Sequence, residues 1–233
     1  LTVQNDALVT VSGDLDVHGT STIVSFALVQ TNGTLDVAGD VTIGPFGELQ
    51  LLGSTIRARK LSPFLGTFTW TDGTLELTDQ DMVLDSALPA LPLAASATLQ
   101  NSQTLILRGA GRDLIVGNSG TGQLDLFNTA SVQVNDGELL IAKKLGSVGT
   151  VRLLGPNTSV LVDGPMAVGG TQSGPGGQGQ LTVAGALIVT ERFTYWPTAS
   201  VFVDSTGTLS ADILKRGGAG GLSVNTDGHV RFN

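Results

Sequence analysis

Residues 33–51 read GTLDVAGDVTIGPFGELQL and contain nearly the same short phrase three times. The copies occupy residues 33–37, 39–43 and 47–51, and in each one a glycine is followed by alternating polar and apolar residues. Successive side chains of a β-strand point to opposite faces, so each phrase predicts a short strand with one buried face. The fold therefore depends on how many such strands the chain contains and how they pair.

The phrase recurs along most of the chain, starting at Gly13 and Gly73 and then running densely from Gly122 to Gly207. Grouping the phrases by threes gives a longer period, which leads from Leu124 to Val151, then to Leu181 and then to Leu209. These intervals are nearly equal, and strands this short are unstable alone. Each strand is therefore expected to pair in parallel with its equivalent about 28 residues later.

These observations predict an all-β fold, a single-stranded parallel β-helix or solenoid with three short strands per coil. An antiparallel meander is the competing interpretation, because Asn-Gly and Asp-Gly pairs favour two-residue hairpins. Here such pairs, for example Asn32-Gly33 and Asp136-Gly137, fall at the corners of the same repeat. No segment has the apolar periodicity and caps of a helix.

We expect one domain, residues 1–233, with irregular coils and loop insertions at about 52–110 and regular repeats at about 111–210. Three segments interrupt the rhythm, at residues 52–68, 85–93 and 169–179, and the most polar is the last, GGTQSGPGGQG. This segment predicts a flexible loop. It lacks the Gly-Lys-Ser/Thr ending and following helix of a phosphate-binding loop.

Composition excludes several classes of function. The formal net charge is −8, with 12 Lys and Arg against 20 Asp and Glu, which disfavours nucleic acid as a partner. There is no cysteine, so disulfides and thiolate metal sites are excluded. No run approaches the roughly 20 apolar residues of a membrane-spanning helix. Because the chain begins at Leu1 without a secretory leader, we expect that a leader was removed and that the chain belongs to a longer protein.

The repeats from Leu124 to Val189 resemble those of bacterial autotransporter passengers and of related surface proteins that carry exported-protein sorting tails. Residues 115–122, IVGNSGTG, and 154–159, LGPNTS, open two phrases of that family, and residues 66–75, GTFTWTDGTL, resemble a third. The resemblance implies a right-handed β-helix, export, and an adhesive or spacer role.

Catalytic residues are not expected. His18 and His229 lie near opposite ends of the sequence, and a solenoid would keep them apart. Polysaccharide-cleaving β-helices place several acidic residues on one exposed strand face. Here the outward positions instead offer one carboxylate at a time: Asp36, Thr42, Gln50, Glu76, Asp125, Gln133 and Arg152. We therefore predict a protein that is not an enzyme and that has no cofactor.

The acidic residues Glu76, Asp79, Asp81 and Asp85 could supply oxygen ligands for calcium. They do not follow the Gly-Gly-x-Gly-x-Asp repeat of calcium-binding β-rolls or the EF-hand spacing. A solvated corner is the alternative interpretation, and no metal site is predicted.

Apolar residues in outward positions are the strongest sign of an interaction surface. They are Leu140, Leu161, Ile188 and Phe202, together with Tyr195 and Trp196. Two interpretations stay open: this row contacts a partner, or loops cover it and part of it is assigned to the wrong face.

The expected function is therefore a non-enzymatic, exported structural or adhesive rod segment of a bacterial cell-surface or extracellular filament protein. Self-association end to end, by strand addition at coil ends, or contact with neighbouring surface proteins is expected. The alternative is a carbohydrate-active or glycan-binding module in which Trp70, Tyr195 and Trp196 stack on sugars.

Overall fold

The structure is a computed structural model that describes residues 1–62, 65–87 and 93–232 of the chain. These residues form 24 β-strands and no helix, and all pairing between named strands is parallel. The predictions of an all-β class and of parallel pairing are confirmed. The predicted interruptions at residues 52–68 and 85–93 lie partly outside the described residues.

Strands that pair with one another form three ladders. Ladder one is in two pieces. Its first piece contains β1 (Thr2–Val3), β4 (Ser25–Gln30), β7 (Gly47–Leu52) and β10 (Thr67–Trp70). Its second piece contains β13 (Ser96–Leu99), β16 (Thr121–Phe127), the first parts of β19 (Val148–Val168) and β20 (Gln178–Tyr195), β21 (Ala199–Val203) and β23 (Gly221–Val224).

Ladder two runs through the whole described chain without interruption. It contains β2 (Leu8–Val11), β5 (Thr34–Val37), β8 (Ser54–Ala58), β11 (Gly73–Leu77), β14 (Thr104–Leu107), β17 (Ser131–Val134), the middle parts of β19 and β20, β22 (Thr208–Arg216) and β24 (His229–Phe232).

Ladder three is again in two pieces. The first contains β3 (Leu15–Val17), β6 (Asp40–Ile43) and β9 (Lys60–Ser62). The second contains β12 (Met82–Leu84), β15 (Leu114–Val116), β18 (Leu139–Ile141) and the last parts of β19, β20 and β22.

The core is made by the inward residues of all three ladders, which stack on one another from strand to strand. In ladder two, Leu35, Ile56, Leu75 and Leu105 follow one another in register, and all are fully buried. Burying one such side chain is worth about 1.5–3 kcal/mol. One continuous aliphatic column thus passes through most of the molecule.

Pairing registers confirm part of the predicted period and correct the rest. Leu124 pairs with Val151 and Val151 with Leu181, and all three are buried in one core. The predicted alignment of Leu181 with Leu209 is wrong, because Leu181 pairs with Val201 and Leu209 pairs with Ile188. The interval between paired residues is shorter here because only residues 196–198 join β20 to β21, whereas residues 169–177 join β19 to β20.

The length of chain between paired residues is therefore not constant. In ladder one, Glu48 pairs with Thr67, whereas Val148 pairs with Gln178 across a clearly longer stretch of sequence. The inward positions of each strand are kept while the corners differ in length. A fixed spacing of about 28 residues, as expected for a regular repeat, holds only for the middle of the chain.

Close packing requires the glycine that opens several of the phrases. A Cβ on Gly47 would lie 2.0 Å from the Val17 carbonyl oxygen, and one on Gly122 would lie 2.0 Å from that of Leu84. At other corners the left-handed torsion is adopted by the residue before the glycine, such as Asn32 with φ of 61°, or by the glycine itself, such as Gly73 with φ of 90°. Asparagine tolerates this conformation better than most residues.

Ladders one and three both break in the same zone. Among the described residues, β10 pairs only with β7, and β13 only with β16. In the same part of the chain, β9 pairs only with β6, and β12 only with β15. Strand β11, in contrast, continues ladder two across this zone, because it pairs with both β8 and β14. We call this zone the junction, the strands β1–β10 the N-terminal region, and the strands β12–β24 the C-terminal region.

Candidate functional site

The predicted interaction surface is not an exposed row. Leu140, Ile188, Tyr195 and Trp196 are buried, with at most 8% of each residue exposed. Of the six residues predicted, Phe202 is exposed and Leu161 is half-buried. For the four buried residues the structure favours the second interpretation, that the row is covered or assigned to the wrong face, for two different physical reasons.

The first reason is a shift of phase at Ile188. Strand β19 has three residues between Leu154 and Thr158 where β20 has only Gly185, which adopts a left-handed φ of 64°. After this shift Ile188 pairs with Val160 and points into the core. Its neighbours Leu187 and Val189 take the outward positions and are about 40% exposed.

The second reason is that the outer face of ladder three is buried as well as its inner face. Leu140 is outward on β18 and packs with Ile115 and Ala167 in a small second cluster, against which Val83 also packs. This cluster lies on the face opposite to the main core, which contains Leu139 and Ile141. Ladder three is thus apolar on both faces from β12 to the last part of β19.

Residues 169–177 cover the neighbouring part of the same face, and we call them the strap. The Trp196 indole Nε1 donates to the Thr171 carbonyl oxygen at 2.7 Å, and Thr194 Oγ1 donates to Gln172 Oε1 at 2.8 Å. Lys215 Nζ donates to the Gln172 carbonyl oxygen at 2.8 Å and lies 5.7 Å from the centroid of the Trp196 ring. The glycine-rich segment is therefore held by three side chains from β20, β22 and the corner at Trp196.

Two ion-pair groups occupy outward positions. In ladder two, Glu76 is 5% exposed and contacts Arg57 at 3.2 Å and Arg108 at 2.6 Å, while Arg57 also contacts Asp36 at 3.5 Å. These four residues span β5 to the end of β14 and so cross the junction.

In ladder one, Arg152 binds Asp125 through two nitrogens. Burial raises the pKa of Asp125, but hydrogen bonds from Arg152 and Gln123 reverse this and hold it below its usual value. Asp125 and Arg152 are direct cross-strand partners, so the pair joins β16 to β19.

The acidic residues considered for calcium are bound by the protein itself. Asp79 contacts Arg112 at 2.8 Å, and Asp81 accepts the Asp113 N–H at 3.1 Å. Asp85 is buried and accepts backbone N–H groups from Ala87 and from residues 118–120. Burial raises the pKa of Asp85, and these donors together lower it below its usual value. Among the described residues no group of three or more His, Asp or Glu is arranged to hold a metal ion.

A groove of about 600 Å³ lies along the corners between ladders two and three. Its acidic lining comes from successive corners of the C-terminal region: Asp113, Asp136, Glu138, Asp163 and Glu191. We call it the acidic groove. Asp113 Oδ1 accepts the Glu138 N–H at 3.0 Å, so two of these residues are directly linked.

The acidic groove shifts the titration of two of its carboxyl groups. Burial raises the pKa of Asp113; the Glu138 N–H partly offsets this and the Asp81 charge adds to it. Burial also raises the pKa of Glu138, with a further increase from Asp113 and a decrease from Lys143. Both groups therefore lose their protons less readily than free carboxyls.

The other residues singled out from the sequence are dispersed. His18 follows β3 in the N-terminal region, and His229 begins β24 at the other end of ladder two. Trp70 is half-buried at the end of β10, far along the chain from Tyr195 and Trp196, and its Nε1 donates to the Gly73 carbonyl oxygen at 3.2 Å. Tyr195 packs on Phe193 in the core, with ring centroids 6.2 Å apart.

Sequence reasoning missed the strap contacts and the acidic groove. A signal for the groove is present, because an acidic residue falls at the same corner in four successive repeats, at Asp113, Asp136, Asp163 and Glu191. The strap gave no comparable signal, since its contacts are mostly to backbone oxygens.

Comparisons with protein-family models, with curated proteins and with solved structures found no match to this chain. In the described part of the chain no helix is long and apolar enough to cross a membrane.

Proposed function

We propose that this chain is a right-handed parallel β-helix with three short strands per coil and that it serves as a non-enzymatic structural or adhesive rod segment. We place it on a bacterial cell surface or in an extracellular filament. The observation that carries the proposal is ladder two, whose strands remain in parallel register from β2 to β24.

A ladder of this kind supports a role based on length. Each described strand pairs only with its neighbours along the stack, so the shape grows in one direction and binding surfaces are spread along it. The buried aliphatic column resists unfolding over the same length. The corners carry the variable parts, namely the strap and the acidic groove, which a rod would display.

Self-association belongs to the same proposal. Strands at the end of a parallel stack offer backbone groups to which another strand can add, either from a second copy or from a neighbouring surface protein. Rods that join in this way would form a filament with one continuous core.

Electron microscopy of the purified chain over a range of concentrations tests the proposal. Ten coils at about 4.8 Å per step give particles roughly 48 Å long, and joined particles should be multiples of this length. Isolated particles at every concentration would contradict the filament part. Turnover of a polysaccharide panel would contradict the non-enzymatic part, and glycan binding that is lost in Trp70→Ala would favour the sugar-binding alternative.

A further inference from the structure

We infer that the junction is a built-in hinge, in which the N-terminal region swings relative to the C-terminal region about ladder two, and that Gln80 and Gln103 hold it closed. Such a hinge is a property of the fold and does not depend on export or adhesion.

The first observation is the asymmetry of the junction. Among the described strands, no pairing joins β10 to β13 or β9 to β12, whereas β11 pairs in full register with both β8 and β14. On two sides of the stack, the described strands therefore do not pair across the junction, whereas on the third side pairing is continuous. A body connected along one edge bends most easily about that edge.

The second observation is that the Gln80 side chain takes the place of a strand. In a parallel ladder, the N–H and C=O of one residue both bond to the same neighbouring strand. For Leu61, Gln80 Oε1 accepts the N–H at 2.8 Å and Gln80 Nε2 donates to the carbonyl oxygen at 3.4 Å. Just before it, the Asp79 N–H still donates to the Arg59 carbonyl oxygen at 3.0 Å, as a strand would. The main chain then leaves the ladder, and the side-chain amide completes it.

Gln103 makes a second contact of this kind on ladder one. Its Nε2 donates to the Trp70 carbonyl oxygen at 2.8 Å, and its Oε1 accepts the Gln100 N–H at 2.6 Å. Trp70 is the last residue of β10, and Gln103 directly precedes β14, so this bond crosses the junction. Both glutamines are buried. A side-chain amide can release its partner by rotation, whereas a paired strand must lose several bonds together.

The third observation is that charge reinforces the continuous ladder at the same place. The ion pairs of Arg57, Glu76 and Arg108 join β8, β11 and the end of β14 on the outer face of ladder two. This is the region in which the other two ladders are broken. Ladder two is thus held across the junction by backbone pairing and by ion pairs. On the sides of ladders one and three, a glutamine amide makes the connection instead.

Spin-label distance measurements test the hinge, and they need only introduced cysteines because the chain has none. A label pair at Thr67→Cys and Ser200→Cys spans the junction. A pair at Ser96→Cys and Ser200→Cys stays within the C-terminal region, four ladder steps or roughly 19 Å apart. All three positions are exposed.

In a Gln80→Ala, Gln103→Ala variant we expect the distance distribution across the junction to become about twofold wider, with the internal pair unchanged. Hydrogen exchange at the Leu61 amide should become roughly five- to tenfold faster. Gln133→Ala, at a half-buried outward position of β17, serves as the control and should change neither distribution.

The isosteric variant Gln80→Glu, Gln103→Glu keeps the side-chain volumes and so guards against a failure to fold. It keeps the acceptors for Leu61 and Gln100 but loses both Nε2 donors, and it should also widen the distribution across the junction. The hinge is contradicted if, in either double variant, the Leu61 amide exchanges faster while the distance distribution across the junction stays as narrow as in the unmodified chain.

Discussion

The N-terminal and C-terminal regions use the same inward pattern but differ in their corners. In the N-terminal region, residues 18–24 and 44–46 connect ladder three back to ladder one. In the C-terminal region, residues 142–147 and 169–177 make the equivalent connections from β18 to β19 and from β19 to β20. The longest of these corners, residues 169–177, forms the strap, whereas the acidic groove is lined by corner residues that include Asp163 and Glu191, within β19 and β20. The strands thus determine the fold, and the corners determine what the surface offers.

The largest expected effect is at the strand that both regions share. Leu75 on β11 is fully buried between Ile56 and Leu105. Leu75→Ala should lower the free energy of unfolding by about 2–5 kcal/mol, measured by denaturant titration, because it leaves a cavity in the one continuous column. Thr74→Ala, at the adjacent outward position, is the control. A loss below about 1 kcal/mol for Leu75→Ala would show that the two regions are stable without this column.

The next effect compares ion pairs at the junction and away from it. Glu76→Gln removes the partner of two arginines, whereas Asp125→Asn removes the partner of one. We expect Glu76→Gln to cost about 1–3 kcal/mol and Asp125→Asn to cost less, since bonds to charged groups are stronger than neutral ones. Thermal unfolding of both variants in the same buffer measures the difference. Equal losses would contradict a special role for charge at the junction.

A smaller effect should follow from weakening the strap. Trp196→Phe keeps an aromatic ring but removes the bond to Thr171, which is worth about 1 kcal/mol. Limited proteolysis should then cut within residues 169–177 sooner than in the unmodified chain. Trp70→Phe is the matched control in the N-terminal region, where the indole bond to Gly73 is partly exposed. Unchanged cleavage in Trp196→Phe would mean that the strap is held by other contacts.

The smallest effect concerns pH and the acidic groove. Asp113 and Glu138 have raised pKa values in the folded chain, so the stability they add is complete below their unfolded pKa and is lost as pH rises through their folded pKa. The C-terminal region should therefore become slightly more stable as pH falls from neutral through the folded pKa of these two groups towards the ordinary carboxyl range. The gain is small, because solvent screens both groups.

Melting temperatures between pH 4.5 and 7.5 measure this effect. The variant Asp113→Asn, Glu138→Gln should flatten the profile and melt higher at pH 7. Asp85, Asp125 and Asp204 have lowered pKa values in the folded chain. The stability that these groups contribute is lost at still lower pH, as they become protonated. A melting temperature that falls steadily from pH 7 to 5 would contradict the assignment.

Sequence alone predicted the elements with the strongest repetition. The register of Leu124, Val151 and Leu181 follows from alternation and spacing, because one face of each strand must be buried. It failed at Ile188, where the single residue Gly185 replaces a longer corner and moves the phase by one position. It also failed for the pairing of Leu181 with Leu209, because a short corner brings Val201 opposite Leu181 and leaves Leu209 in ladder two. A strand phrase with apolar residues on both faces, such as residues 186–189, cannot reveal that shift.

The junction was beyond sequence reasoning for a different reason. In the sequence, Gln80 and Gln103 are ordinary polar residues next to strands. Only the structure shows that their amides bond to Leu61 and Trp70. The burial of Trp196 by the strap is similar, since a flexible glycine-rich segment carries no pattern that identifies its docking partner. Contacts made by single side chains to distant backbone groups leave no periodic trace.

The unequal spacing along ladder one also bears on how such a gene can change. Because far less chain lies between the partners Glu48 and Thr67 than between Val148 and Gln178, the stack accepts insertions and deletions at its corners. Duplicating or removing one whole repeat leaves every remaining neighbour pair intact. Recombination between similar phrases would therefore lengthen or shorten the protein without redesigning its interior, and homologous genes should differ in repeat number more readily than in the residues that face inward.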